Sequence, residues 1–217
     1  MEERINRPRV LLADDHRMVA EALKTLLTPE FELVGIVEDG LALIEAARKT
    51  RPDVIVADIT MPRLNGLEAL AELKKENPRV KVVFLTMHQD VAYARRAVDT
   101  GAAGFVLKHS APAELVTAIW AALDGKMYLT PSIAGEVLNE IKRDPSAAKN
   151  PVTVLTARQR EILQLFAEGR SAKQIAGALA ISARTVEFHK YQMMDTLGLH
   201  NSTELTHFAI KHGIVTI

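Results

Sequence analysis

Five short runs of aliphatic and β-branched residues, spread through the first half of the chain, constrain its fold more than any other feature. They fall at residues 10–13, 33–37, 54–58, 82–86 and 105–107. Each is apolar almost throughout instead of alternating, as expected of a parallel strand covered on both faces. Between them lie amphipathic stretches at 18–27, 41–49, 66–76, 91–99 and 113–123. In the third stretch, Leu67, Leu70, Ala71 and Leu73 form one apolar stripe at helical spacing. Units of this kind predict a doubly wound α/β domain with a five-stranded parallel sheet over residues 8–127.

The residues that end these runs carry the chemistry. Asp14 and Asp15 end the first run, Asp58 the third, Thr86 the fourth, and Lys108 follows the fifth. Open α/β sheets bind ligands outside the carboxyl ends of their strands, so these side chains are expected in one pocket. Three carboxylates at one spot repel each other, and Mg²⁺, a hard cation that takes oxygen ligands, relieves that repulsion. A carboxylate can accept a phosphoryl group, a transfer that asks mainly for positioning and charge neutralisation. Asp58 is the candidate nucleophile, Lys108 and the metal would neutralise phosphate oxygens, and the Thr86 hydroxyl would hydrogen-bond one of them. Taken singly, each residue has a plainer role. Asp14 or Asp15 could cap the next helix, and Lys108 could be a surface lysine. Their order across four strands is what the plainer roles leave unexplained.

Lys+Arg and Asp+Glu both number 27, so net charge points to no partner. The chain has no cysteine, which excludes disulfide and thiolate chemistry. The first residues lack the apolar core of a signal peptide, and no stretch approaches the ~20 apolar residues of a membrane span. A cytoplasmic protein without a membrane partner is expected.

The pattern changes after Gly125. Pro131 opens a helical stretch over 133–141, and a polar segment with two prolines follows, so 128–151 is expected to be a linker containing a helix. No strand pattern lies beyond it. Thr156 to Gln159 and Ser171 to Gln174 have the form of capping boxes. Gly169 and Gly198 stand where helices end, Ser182 is placed to cap a third helix, and Ser202 to start a fourth. Residues 152–217 therefore predict an all-α, four-helix domain. Within it, residues 175–186 have the shape of a helix-turn-helix. Ala176 and Gly177 allow close packing, Val186 points to the core, and Arg184, Glu187, His189, Lys190, Tyr191 and Gln192 are candidates for the outer face. A helical bundle that docks on a partner protein has a similar pattern.

Residues 9–124 resemble the receiver domain of bacterial two-component response regulators, which is flavodoxin-like. The resemblance rests on Asp58-Ile59-Thr60-Met61-Pro62 with Gly66 downstream, on Leu85-Thr86, and on Gly104-Phe105-Val106-Leu107-Lys108. It implies that Asp58 takes phosphate from a sensor histidine kinase. It also implies that Asp14, Asp15, Asp58 and the Thr60 backbone carbonyl hold Mg²⁺, and that Thr86 and Phe105 form a switch in which the ring turns inward. Met87, bulky beside Thr86, is expected either to shield the phosphate and slow its loss or to be an inert packing residue. The segments 155–161, 172–176 and 182–189, with Leu197-Gly198, are similar to the LuxR-type DNA-binding domain, and the whole chain resembles the NarL/FixJ family. That resemblance implies a homodimer, favoured by phosphorylation, on paired promoter half-sites of double-stranded DNA. Lys173, Arg184, Thr185, Glu187, Phe188, Lys190 and Tyr191 would be the DNA-facing residues, and RNA polymerase is a further candidate partner. Glu187 stands where many members carry lysine, which leaves Lys190 and Arg184 as the expected backbone contacts. On this reading the chain is a transcriptional regulator and no turnover enzyme. A constitutive DNA-binding regulator remains an alternative. So does an Mg²⁺-dependent phosphatase, although Thr60 stands where such enzymes usually carry a second aspartate.

Overall fold

Residues 7–110, 112–143, 154–212 and 214–215 are described by the computed structural model of the protein. The chain divides after Arg143 into two compact units. No helix among the described residues is long and apolar enough to cross a membrane.

The first unit alternates strands and helices: β1 Arg9–Ala13, α1 Arg17–Leu27, β2 Glu32–Val37, α2 Gly40–Thr50, β3 Val54–Ala57, α3 Gly66–Glu76, β4 Val82–Thr86, α4 Val91–Asp99, β5 Gly104–Leu107 and α5 Pro112–Leu123. Two further elements follow, β6 Tyr128–Leu129 and α6 Pro131–Arg143. All strand pairs are parallel, in the order β2-β1-β3-β4-β5-β6. Alternate residues of each inner strand feed two cores. Leu11, Ile55, Phe84 and Phe105 face α2, α3 and α4, while Val10, Val56, Val83 and Val106 face α1 and α5. This double burial is why the runs are apolar throughout. Polar side chains set where helices begin: Asp39, Asn65 and Asp90 accept backbone N–H groups at the starts of α2, α3 and α4.

The sheet has six strands, not five. Tyr128 and Leu129 are too few to show a period, yet they pair with Gly104 and Phe105. Thr130 extends the join, its N–H donating to the Phe105 carbonyl and its hydroxyl accepting from the Leu107 N–H. Residues 128–143 also belong to the first unit and are no linker, because Ile133 and Val137 of α6 are buried in the core that contains Tyr93 and Ala94 of α4. The remainder of the expected linker lies outside the described residues.

The second unit is four helices, α7 Ala157–Ala167, α8 Ala172–Ala178, α9 Ala183–Leu197 and α10 Ser202–Lys211, around Ile162, Leu163, Ile175, Val186, Met193 and Leu205. Both capping boxes form, Thr156 with Gln159 and Ser171 with Gln174. Ser182 caps α9, and Gly198 ends it in the left-handed region at φ 66°. α10 starts at Ser202 as expected, capped by Asn201, whose Oδ1 accepts from the Glu204 N–H. Gly177 differs from expectation: a Cβ there would meet nothing within 4 Å, so only Ala176, buried in the core, uses its small size.

Candidate functional site

The chain reverses its sheet order between β1 and β3, which leaves a crevice at the carboxyl ends of those strands. Asp14 and Asp15 leave β1 there, and Asp58 leaves β3. The Asp58 N–H donates to the Ala13 carbonyl at 2.8 Å, which ties the two strand ends together. Ligating atoms of Asp14, Asp15, His16 and Asp58 all lie within 4.8 Å of one another. Gly66 permits this arrangement. A Cβ on it would stand 2.2 Å from the Asp58 carbonyl oxygen, so a side chain would push the Asp58 backbone away from α3.

Lys108 enters from the end of β5. Its Nζ lies 2.7 Å from Asp14 Oδ2 and 2.5 Å from Asp58 Oδ2. Burial pushes the Asp58 carboxyl above its ordinary value; Lys108 offsets only part of that, and the Asp14 charge adds to it. Burial works to lower Lys108, but the Asp58 charge and the hydrogen bonds to both carboxylates outweigh it and hold the ammonium above its ordinary value. One cation facing two buried carboxylates leaves negative charge uncompensated. His16 Nδ1 lies 2.9 Å from Asp15 Oδ1 without hydrogen-bond geometry, so that buried oxygen has no hydrogen-bond partner. An orphaned oxygen among three carboxylates suits a divalent cation with oxygen ligands. His16 was not anticipated, because the sequence presents it only as the residue before a helix.

Thr86 and Thr60 are joined to this cluster through His88. The His88 N–H donates to Thr86 Oγ1 at 3.3 Å, and the ring Nε2 shares a 2.7 Å hydrogen bond with Thr60 Oγ1. The Thr60 N–H in turn donates to Asp58 Oδ1 at 3.3 Å. The His88 ring stacks on Tyr93, with centroids 4.7 Å apart. Burial lowers its pKa, partly opposed by the charges of Asp58 and Asp90, which favours the neutral ring at pH 7. Met87, expected to shield the site, is 63% exposed, so the side chain that spans the two loops is His88. Phe105 is fully buried, in the same core as Phe84 and Ile133.

In the second unit, α8 and α9 form the helix-turn-helix, with Ala180 between them in the left-handed region at φ 52°. Lys173 and Arg184 are exposed, and Thr185 is half-buried with its hydroxyl bonded to Ser182 Oγ. Phe188 and Tyr191 are exposed large hydrophobics. Lys190 is turned inward: its side chain is 16% exposed, it donates to Glu187 Oε2 at 3.2 Å, and its ammonium lies 5.5 Å from the Phe166 ring centroid.

Comparison with other proteins agrees with both halves. Residues 10–120 match the response regulator receiver domain, and residues 153–209 match the bacterial regulatory proteins of the luxR family. The transcriptional regulatory protein DegU of Brevibacillus brevis is 33% identical over 228 residues, spanning 98% of this chain and 97% of that protein. The response regulator UvrY of Escherichia coli is 32% identical over 208 residues, spanning 94% of each. A structure of RcsB from Salmonella enterica serovar Typhimurium, bound to promoter P1flhDC in the presence of phosphomimetic BeF₃⁻, is 28% identical. It aligns with TM-score 0.58 over 94% of this chain and 98% of that one.

Proposed function

Because the chain belongs to the response regulators, in which phosphorylation of a receiver domain regulates a LuxR-type DNA-binding domain, we propose that Asp58 is its phosphoacceptor and that α9 carries its DNA-reading face. The observation that carries this reading is Lys108 bridging Asp14 and Asp58 at the carboxyl edge of the sheet. A carboxylate oxygen of Asp58 attacks the phosphorus of a phosphohistidine on a sensor kinase. The phosphorus–nitrogen bond breaks, and the electron pair leaves with the imidazole. Asp14, Asp15, Asp58 and the Thr60 carbonyl would hold Mg²⁺, which when bound neutralises charge on the transferring group. Lys108 then turns from Asp58 to a phosphoryl oxygen, and the Thr86 hydroxyl hydrogen-bonds another, drawing on the loop that His88 ties to Thr60. Phe105, buried in the core shared with α4 and α6, would couple movement of Thr86 to those helices, a local charge event biasing a two-state element.

Lys173, Arg184, Thr185, Phe188 and Tyr191 form the DNA-facing set of the helix-turn-helix, and Glu187 and Lys190, bonded to each other, would join it only on separating. The protein would act in the cytoplasm as a homodimer on paired half-sites; a structure of two RcsB dimers bound to two parallel DNAs supports dimeric DNA binding. A second reading, a regulator competent without phosphate, is favoured by one observation: the Phe105 ring is already seated inward. Incubation with Mg²⁺ and acetyl phosphate tests the acceptor. The expected result is the added mass of one phosphoryl group on the peptide containing Asp58, lost on treatment with hydroxylamine and absent when a chelator is present during incubation or in Asp58→Asn. Labelling that survives in Asp58→Asn refutes the assignment.

A further inference from the structure

The outward side of α9 is unusual for a surface meant to meet a polyanion. Arg184, Phe188, Tyr191, Gln192 and Asp195 are all exposed, and their spacing of three, four and seven residues stacks them on one stripe. Val186 and Met193 lie opposite, in the core. Between Arg184 and Asp195 the only Lys or Arg is Lys190, and its ammonium is bound to Glu187 and lies 5.5 Å from the ring centroids of both Phe166 and Tyr191, its side chain only 16% exposed. The centre of the stripe is therefore an aromatic pair, Phe188 at 58% exposure and Tyr191 at 63%.

A phenylalanine ring has no donor or acceptor, so it cannot take part in a hydrogen-bond code. Among the base edges of the major groove, only thymine presents an apolar group, its C5-methyl. We propose that Phe188 selects thymine, its ring covering that methyl in each half-site. Arg184, one turn earlier, anchors the helix start by charge, and Tyr191 flanks the ring one turn later. The proposal rests on α9 being the recognition helix. It adds that discrimination there comes from apolar contact more than from paired hydrogen bonds, because the Glu187 carboxylate is already engaged by Lys190.

Uracil is thymine without the methyl, which gives a direct test. The full chain would be used to enrich a pool of duplexes with a randomised centre. The enriched sequence would then be remade with deoxyuridine at each thymine in turn. Wild type should bind about fourfold more weakly when one particular thymine of a half-site is replaced, the worth of burying one methyl group. Phe188→Ala, a change at an exposed position, should bind the thymine and uracil duplexes equally. If no single replacement weakens wild type, or if Phe188→Ala keeps the same sensitivity, Phe188 does not read thymine. If the pool yields no enriched sequence at all, the DNA-reading role of α9 falls, and this proposal with it.

Discussion

Replacing Lys108 by methionine keeps the aliphatic stem and removes the one ammonium that bridges Asp14 and Asp58. Both carboxylates are almost completely buried, with side chains 1% and 6% exposed, and Lys108 itself is 9% exposed. Removing one partner of such a group costs roughly 3–5 kcal/mol, because the remaining charges stay buried and unpaired. Proton uptake limits the loss. Holding an ordinary carboxylate protonated three pH units above its pKa costs about 4 kcal/mol at 1.36 kcal/mol per unit. An expected loss of about 3 kcal/mol at pH 7 corresponds to a fall of about 10 °C in the melting temperature of the first unit. The sign with pH follows from linkage. In the variant burial holds the Asp58 carboxyl above its unfolded value with no ammonium to offset it, so its contribution is fully present below the unfolded pKa and is lost as pH rises through the folded one. The deficit should be largest near neutrality, close to zero around pH 4, and narrowed by Mg²⁺. Thermal unfolding followed by circular dichroism, over a pH series with and without Mg²⁺, measures all three. An unchanged melting temperature at pH 7, or a deficit that widens on acidification, would refute the reasoning.

Other consequences are as direct. Gly66→Ala places a Cβ against the Asp58 carbonyl; it should destabilise the first unit by about 1–3 kcal/mol and weaken Mg²⁺ binding, measured by calorimetry. Thr156→Ala and Ser171→Ala each remove a capping box and should cost about 1 kcal/mol of stability in the second unit, read by denaturant unfolding. Arg184→Ala should weaken binding to all DNA sequences and flatten the dependence of affinity on salt by about one counterion; a loss confined to one sequence would argue for a base contact instead.

Much of the fold was legible because burial on both faces leaves a strong mark: β3 and β4 are fully buried and read as unbroken apolar runs. β6 left no such mark, since two residues carry no period, and its pairing depends on Phe105 and Thr130 meeting in space. α6 was visible as a helix, but its docking on α4 depends on a face of α4 that no linear pattern specifies. Asp14, Asp15, Asp58 and Lys108 were recognisable because each ends a strand. His16 joins them only because the chain turns sharply after Asp15, where the His16 N–H donates to Asp14 Oδ1. The inward turn of Lys190 was hidden for a similar reason: the Phe166 ring that receives it comes from another helix.

Phosphorylation of Asp58 is proposed to control DNA binding. The measurement that tests it most directly is the affinity of the full chain for its enriched duplex in Mg²⁺, with and without acetyl phosphate, for wild type and Asp58→Ala. Acetyl phosphate should tighten binding by wild type and leave Asp58→Ala unchanged. Equal binding by both proteins under both conditions would contradict it and would make the protein a constitutive reader of DNA.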